Sequence, residues 1–161
     1  MANRLHQYEV RTAWTGNTGQ GTADYRSYKR DHEIAMDGKI APIPGSSDAA
    51  FRGDKSRYNP EELLVGSLSS CHMLWMLHLC ADAGIVILEY QDQASGTMQE
   101  DANHGGHFTE VILRPRMTIS DASRIQEAEA LHERAHALCF VANSVNFPVR
   151  CTPVVLAPEP V

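Results

Sequence analysis

The chain has 161 residues, 43% of them hydrophobic and 21% charged, with a formal net charge of −6. This is the size and mix of one globular domain able to bury a core of its own. The acidic balance argues against a surface built for nucleic acid or anionic lipid.

The first ten residues, MANRLHQYEV, lack an apolar centre and a small-residue cleavage site, so no secretory signal is expected. The stretch Met73 to Leu88 is interrupted by His78 and Asp82 and reads as too short to span a bilayer. A cytoplasmic protein is expected. In that compartment the four cysteines read as buried small hydrophobes, metal ligands or reactive thiols, not as structural disulfides.

Strands are expected over His6 to Trp14 and Thr22 to Ile34, divided by the Gly-rich turn Thr15 to Gly21. Met36 to Tyr58, with Pro42, Pro44, Gly45 and Gly53 breaking any periodicity, reads as a loop whose length suggests function. Helix signals then converge. Asn59 suits an N-cap, Pro60 the first helical position, and Glu62 the third residue of a capping box. Gly84 offers a C-cap after a helix ending near Ala83. The middle of this helix, Met73 to Leu77, is apolar in every direction.

Strands are expected over Ile85 to Met98 and Phe108 to Ile119, joined by the turn Glu100 to Gly106. In the second, Val111, Leu113, Met117 and Ile119 share one face. Ser120 or Asp121 should cap a second helix running to about Cys139, with Ile125, Ala128, Leu131, Ala135 and Leu138 as its apolar stripe. A strand near Arg150 to Leu156 and a frayed tail over 157–161 complete a single domain, 1–161. Two helices against five or six strands make an α+β fold. So little structure covers the all-apolar helix poorly, and a second copy of the chain is expected to cover it in a homodimer.

Cys71 and Cys80 lie nine residues apart on one helix, half a turn out of phase, so they cannot pair with each other. Cys80 and Cys151 stand in ordinary contexts and read as inert buried thiols. Gly66, Ser67, Ser69 and Ser70 precede Cys71, and such small residues leave room for a crevice over its sulfur. His72 is adjacent to Cys71 and diverges from it by about 100° on a helix, so it reads as packing. His132-Glu133-Arg134-Ala135-His136 is a literal H-E-x-x-H, able to hold zinc with Glu133 as base. The extended zinc motif fails, however, with Ala142 and Cys139 at its further positions, and Glu159 lies in the tail. His104 to His107 sit on a hairpin turn, where glycines answer to turn geometry.

The run Asn59-Pro60-Glu61-Glu62-Leu63-Leu64-Val65-Gly66-Ser67-Leu68-Ser69-Ser70-Cys71-His72 closely resembles the signature of the OsmC/Ohr family of hydroperoxide-reducing proteins. Ala137 to Ser144 resembles that family's resolving-cysteine segment, 68 residues after Cys71. The resemblance implies an OsmC-like fold, with antiparallel sheets wrapped around two long central helices in an intertwined homodimer. It implies a thiol peroxidase in which Cys71 attacks an organic hydroperoxide and Cys139 resolves the sulfenic acid as a disulfide. A dithiol, typically a lipoylated protein, restores both thiols, and no cofactor or metal is called for.

The resemblance also implies an arginine beside the attacking sulfur, held by the glutamate that maps to Glu61. The chemistry agrees. Only a thiolate is nucleophilic, and Cys71 lies about three turns into its helix, beyond the reach of the N-terminal field. The expected arginine position falls at Ala50, beside Arg52; Arg30, on the second strand, is the other candidate, with Arg57 a weaker third. On an unbroken helix Glu61 and Cys71 are about 15 Å apart, so either the helix breaks near Gly66-Ser67 or the two residues reach one site from different protomers. Leu64, Leu68, Trp75 and Phe140 are expected to wall an apolar pocket suited to organic peroxides. Two alternatives remain: a non-catalytic member of the fold binding a hydrophobic or thiol ligand, and a zinc hydrolase built on His132, Glu133 and His136.

Overall fold

A computed structural model describes residues 4–103 and 105–158. The chain divides into two compact units, 1–63 and 64–161, with the division inside the first helix.

In the first unit β1 (Arg11–Trp14), β2 (His32–Ala35) and β3 (Ile43–Gly45) form an antiparallel sheet in that order, with Trp14 opposite His32 and Ile34 opposite Ile43. The strand expected from Thr22 begins only at His32. Local side-chain bonds win over a ladder there: the Asp24 carboxylate accepts from the Arg26 N–H at 2.6 Å, and the Ser27 hydroxyl accepts from the Asp24 N–H at 3.2 Å. The segment expected as loop holds β3 and a single 3-10 turn, Ala49–Phe51, capped by the Asp48 carboxylate on the Ala50 N–H at 2.7 Å. Arg52 closes that turn in the left-handed conformation, φ 66°, the one non-glycine residue with positive φ among the described residues.

Helix α1 (Pro60–Asp82) begins where its signals place it. The Asn59 amide oxygen accepts from the Glu62 N–H at 2.7 Å, and the Glu62 carboxylate accepts from the Asn59 N–H at 3.0 Å, so the capping box is closed reciprocally. It ends in a Schellman arrangement, with Gly84 at φ 70° and the Ile85 N–H on the Cys80 carbonyl at 2.8 Å. At 23 residues, with an 18-residue stretch of mean hydropathy 1.4, the helix is long and apolar enough to cross a membrane by composition alone, more than the stretch Met73 to Leu88 suggested. Its buried residues Leu68, His72, Met76, Leu79 and Cys80 nevertheless recur at helical spacing along one packed face.

The second unit departs most from a simple strand reading. Each expected long strand lies at the right place but is broken in two, and its halves join different sheets. β4 (Ile87–Asp92), β7 (Pro115–Ile119) and β9 (Val154–Leu156) form one sheet in the order β4-β7-β9. β5 (Ser95–Glu100), β6 (Gly106–Leu113) and β8 (Val149–Cys151) form another in the order β5-β6-β8. The pairs β4·β7 and β5·β6 are antiparallel, whereas β6·β8 and β7·β9 are parallel, so the sheets are mixed and not wholly antiparallel. Asp92 sits at the break. Its carboxylate accepts from the Arg114 N–H at 2.7 Å and from the Ser69 hydroxyl at 2.6 Å, fastening both strand crossings to α1. The β5–β6 hairpin stands where expected, though His104 of its turn lies outside the described residues, as do residues 159–161 of the expected frayed tail.

Val111, Leu113, Met117 and Ile119 are buried on one face, as their period predicts, but they serve two cores. Val111 and Leu113 pack with Leu68 of α1. Met117 and Ile119 pack with Met76, Leu79 and Cys80 of α1 and with Ala128 and Ala135 of α2 (Ile125–Leu138). Asp121 caps the 3-10 turn leading into α2 by accepting the Ser123 N–H at 2.9 Å. Full burial of each large aliphatic side chain is worth about 1.5–3 kcal/mol, and this fixes α1 and α2 over the sheets.

Candidate functional site

Cys71 lies on α1, three turns from its start, on the side away from the core, and is partly open. Cys139 terminates α2: its backbone turns extended, φ −66° and ψ 109°, and its side chain is buried. The two thiols are neighbours, and Cys71 is near enough to bear on the Cys139 thiol. The Cys139 sulfur also accepts from the Ala142 N–H at 3.4 Å. Burial first, and then the nearness of Cys71, push the Cys139 thiol up to about 11. It is therefore a neutral thiol at neutral pH.

Cys71 opens into a groove of about 450 Å³, whose walls are mainly Leu74, Trp75, Phe140 and Val141. Trp75 and Phe140 meet edge to face at 5.7 Å between ring centres. Ser67, Ser70 and His78 supply its polar rim. Trp75 and Phe140 thus stand where they were expected, and two other residues do not. Leu68 is fully buried and packs into the core beside Val111, and Leu64 is not part of the groove. Leu64 lies two turns before Cys71, beyond the end of the groove, and Leu68 is taken up by the core beside Val111, so Leu74 and Val141 take their place.

The basic candidates differ in how they are occupied. The Arg30 guanidinium donates to the Tyr28 carbonyl at 2.7 Å and the Tyr25 carbonyl at 2.8 Å, and stacks over both rings at 4.2 and 4.3 Å. Arg57 lies 3.8 Å from the Asp31 carboxylate and 4.0 Å from that of Asp54. The exposed Arg52 guanidinium makes no ion pair or hydrogen bond among the described residues. Glu61 lies in the first turn of α1. Since the helix is continuous through Gly66 and Ser67, the break that would let Glu61 approach its own Cys71 does not occur.

His72 points into the core, as the helical divergence from Cys71 requires. Its Nε2 is 2.9 Å from His132 Nδ1 and 3.6 Å from Cys151 Sγ. Burial drives both imidazoles down to about 4 and raises the Cys151 thiol to about 12. Cys80 is likewise raised by burial. Cys80 and Cys151 are therefore poor nucleophiles. His72, His132 and Cys151 are the one set of three metal-capable side chains found among the described residues. His136 and Glu133 stand outside it. The pairing of His72 with His132, sixty residues away, left no signal in the sequence.

Two adjacent thiols, one facing an apolar groove and one buried behind it, on an α+β scaffold, define a paired-cysteine protein. Residues 53–153, more than half of the chain, match the OsmC-like protein family, and the chain belongs to that family. It is similar to an OsmC-like protein of unknown function from Vibrio cholerae, at 29% identity over 93% of this chain and 100% of that one, with a TM-score of 0.84. Two organic hydroperoxide resistance proteins share the fold. One, from Elizabethkingia anophelis, has 20% identity over 96% and 100% of the two chains and a TM-score of 0.66. The other, from Legionella pneumophila, has 15% identity over 96% and 99% and a TM-score of 0.65. No curated protein matches the sequence.

Proposed function

We propose that this chain is a thiol peroxidase that reduces organic hydroperoxides to alcohols. The nearness of Cys139 to Cys71, which opens into an apolar groove, carries this reading. The Cys71 thiolate attacks the distal oxygen of ROOH; the O–O bond breaks, RO⁻ leaves and takes a proton as ROH, and Cys71 becomes a sulfenic acid. Cys139 then attacks that sulfur, a disulfide forms and water departs. A dithiol, such as a lipoylated protein, restores both thiols and leaves as its own disulfide. The apolar walls favour an alkyl or aryl peroxide over hydrogen peroxide.

One equivalent of cumene hydroperoxide added to the reduced protein is expected to give a Cys71–Cys139 disulfide by mass spectrometry. In Cys139→Ser the reaction should stop at a Cys71 sulfenic acid. Because Cys139 is protonated until about pH 11, disulfide closure should accelerate with rising pH, by up to about tenfold per unit while its thiolate limits the step. Sulfurs that stay reduced exclude the peroxidase.

The active form is read as a homodimer. Around the groove Leu74 is 60% exposed and Phe140 71% exposed, and a Cβ added at Gly66 would meet nothing, so α1 offers a bare apolar face suited to a second copy. In that assembly Glu61 would serve the partner protomer's site. Sedimentation should give twice 17.8 kDa, and Leu74→Glu should shift the protein to 17.8 kDa. A wild-type monomer at micromolar concentration would refute the dimer.

A further inference from the structure

We propose that His72, His132 and Cys151 form a binding site for a zinc-class divalent cation, distinct from the thiol pair and independent of the peroxidase reading. The donor atoms, His72 Nε2, His132 Nδ1 and Cys151 Sγ, all lie within 4.8 Å of one another. Zinc takes nitrogen at about 2.0–2.1 Å and sulfur at about 2.3 Å, so a tetrahedral site spans about 3.3 Å between nitrogens and about 3.6 Å between nitrogen and sulfur. The His72–Cys151 contact already has that span, at 3.6 Å. The His72–His132 contact, 2.9 Å between nearly coplanar rings at 13°, has to open by about 0.4 Å, and each imidazole has to turn by roughly 35° so that its lone pair meets the ion and not the other ring. Two imidazoles and one thiolate are a borderline-soft set that suits zinc and not magnesium or calcium.

The other ring nitrogens, His72 Nδ1 and His132 Nε2, are buried without a hydrogen-bond partner among the described residues; they lie across each ring from the proposed donors, and the ion would leave them as the N–H side of each imidazole. The nearby carboxylates are Asp92, which bears on His72, Tyr90 and Cys151, and Glu133, which bears on Cys151; His136 opposes them at His72. Those carboxylates oppose a lone thiolate but attract a dication. Binding would replace the Cys151 proton with the metal and release that proton to solvent. Cys151 is only partly buried, which leaves a route of entry, and three protein ligands leave the fourth position to solvent.

The consequence is mechanical. His72 is next to Cys71 on α1, His132 lies on the helix that Cys139 ends, and Cys151 is on β8. One ion would brace both thiol-bearing helices without touching either reactive sulfur.

The test is titration of the metal-free protein with Zn²⁺ against a chromophoric chelator, and with Co²⁺ followed by absorption spectroscopy. One ion per chain is expected, with a thiolate-to-cobalt charge-transfer band and a higher melting temperature in zinc. Cys151→Ser and His132→Gln should lose the band, while His136→Ala and Cys71→Ser should keep it; melting of the metal-free variants reports whether each still folds. Absence of stoichiometric binding by the wild type overturns the site. So does a band that survives Cys151→Ser but vanishes in Cys71→Ser, which would place the metal on the thiol pair.

Discussion

Cys71→Ser is expected to abolish organic hydroperoxide reduction, lowering turnover by about 10³-fold or more to the level of the uncatalysed reaction with dithiol. A serine hydroxyl at this place has no comparable nucleophilicity, and nothing else in the groove replaces it. Cys80 is wholly buried, and Cys139 sits behind Cys71 as a thiol raised to about 11. The change removes little packing, because Cys71 lies on the open side of α1, and the melting temperature should move by no more than a degree or two. Activity and stability thus separate, which a purely structural cysteine would not allow. Turnover retained in Cys71→Ser would remove the proposed chemistry altogether.

The second large effect concerns the cation. Arg52→Ala is expected to lower kcat/KM by about 10²–10³-fold, the scale seen when one preorganised donor to a developing oxyanion is lost. Arg52→Lys should recover part of it. Of the two candidates the resemblance offers, Arg52 is exposed and makes no ion pair among the described residues, whereas Arg30 is held by the Tyr25 and Tyr28 carbonyls. Arg30→Ala should behave differently. It breaks two hydrogen bonds to backbone carbonyls and two ring stackings, so it should cost about 2 kcal/mol of stability, read by denaturant unfolding, while turnover persists. Intact stability with lost turnover in Arg30→Ala, and the reverse pattern in Arg52→Ala, would transfer the role to Arg30.

The parts of the fold that were legible are those fixed within a few residues. The start of α1 follows from Asn59, Pro60 and Glu62 because a capping box closes over three positions, and its end follows from Gly84 because only a residue at ease with positive φ completes the terminal bonds there. The stripe of α2 and the inward face of β6 and β7 were likewise readable from periodicity. The breaks in the long strands were not. They depend on Asp92 taking the Arg114 N–H, twenty-two residues onward, and on its bond to Ser69 of α1.

The same division runs through the candidate site. Sequence alone determined that Cys71 and Cys139 are the cysteines to consider, through two motifs at the right spacing, and that Cys71 and Cys80 point apart. Only the tertiary structure decided that Cys71 and Cys139 are neighbours, that Leu74 and Val141 wall the groove where Leu64 and Leu68 do not, and that His132 meets His72 and Cys151. Caps, turns and periods are settled by bonds among neighbours. Contacts spanning 60 or more residues form only when apolar burial makes up the entropy of closing the chain, and that balance belongs to the whole packed core, not to any short stretch of it.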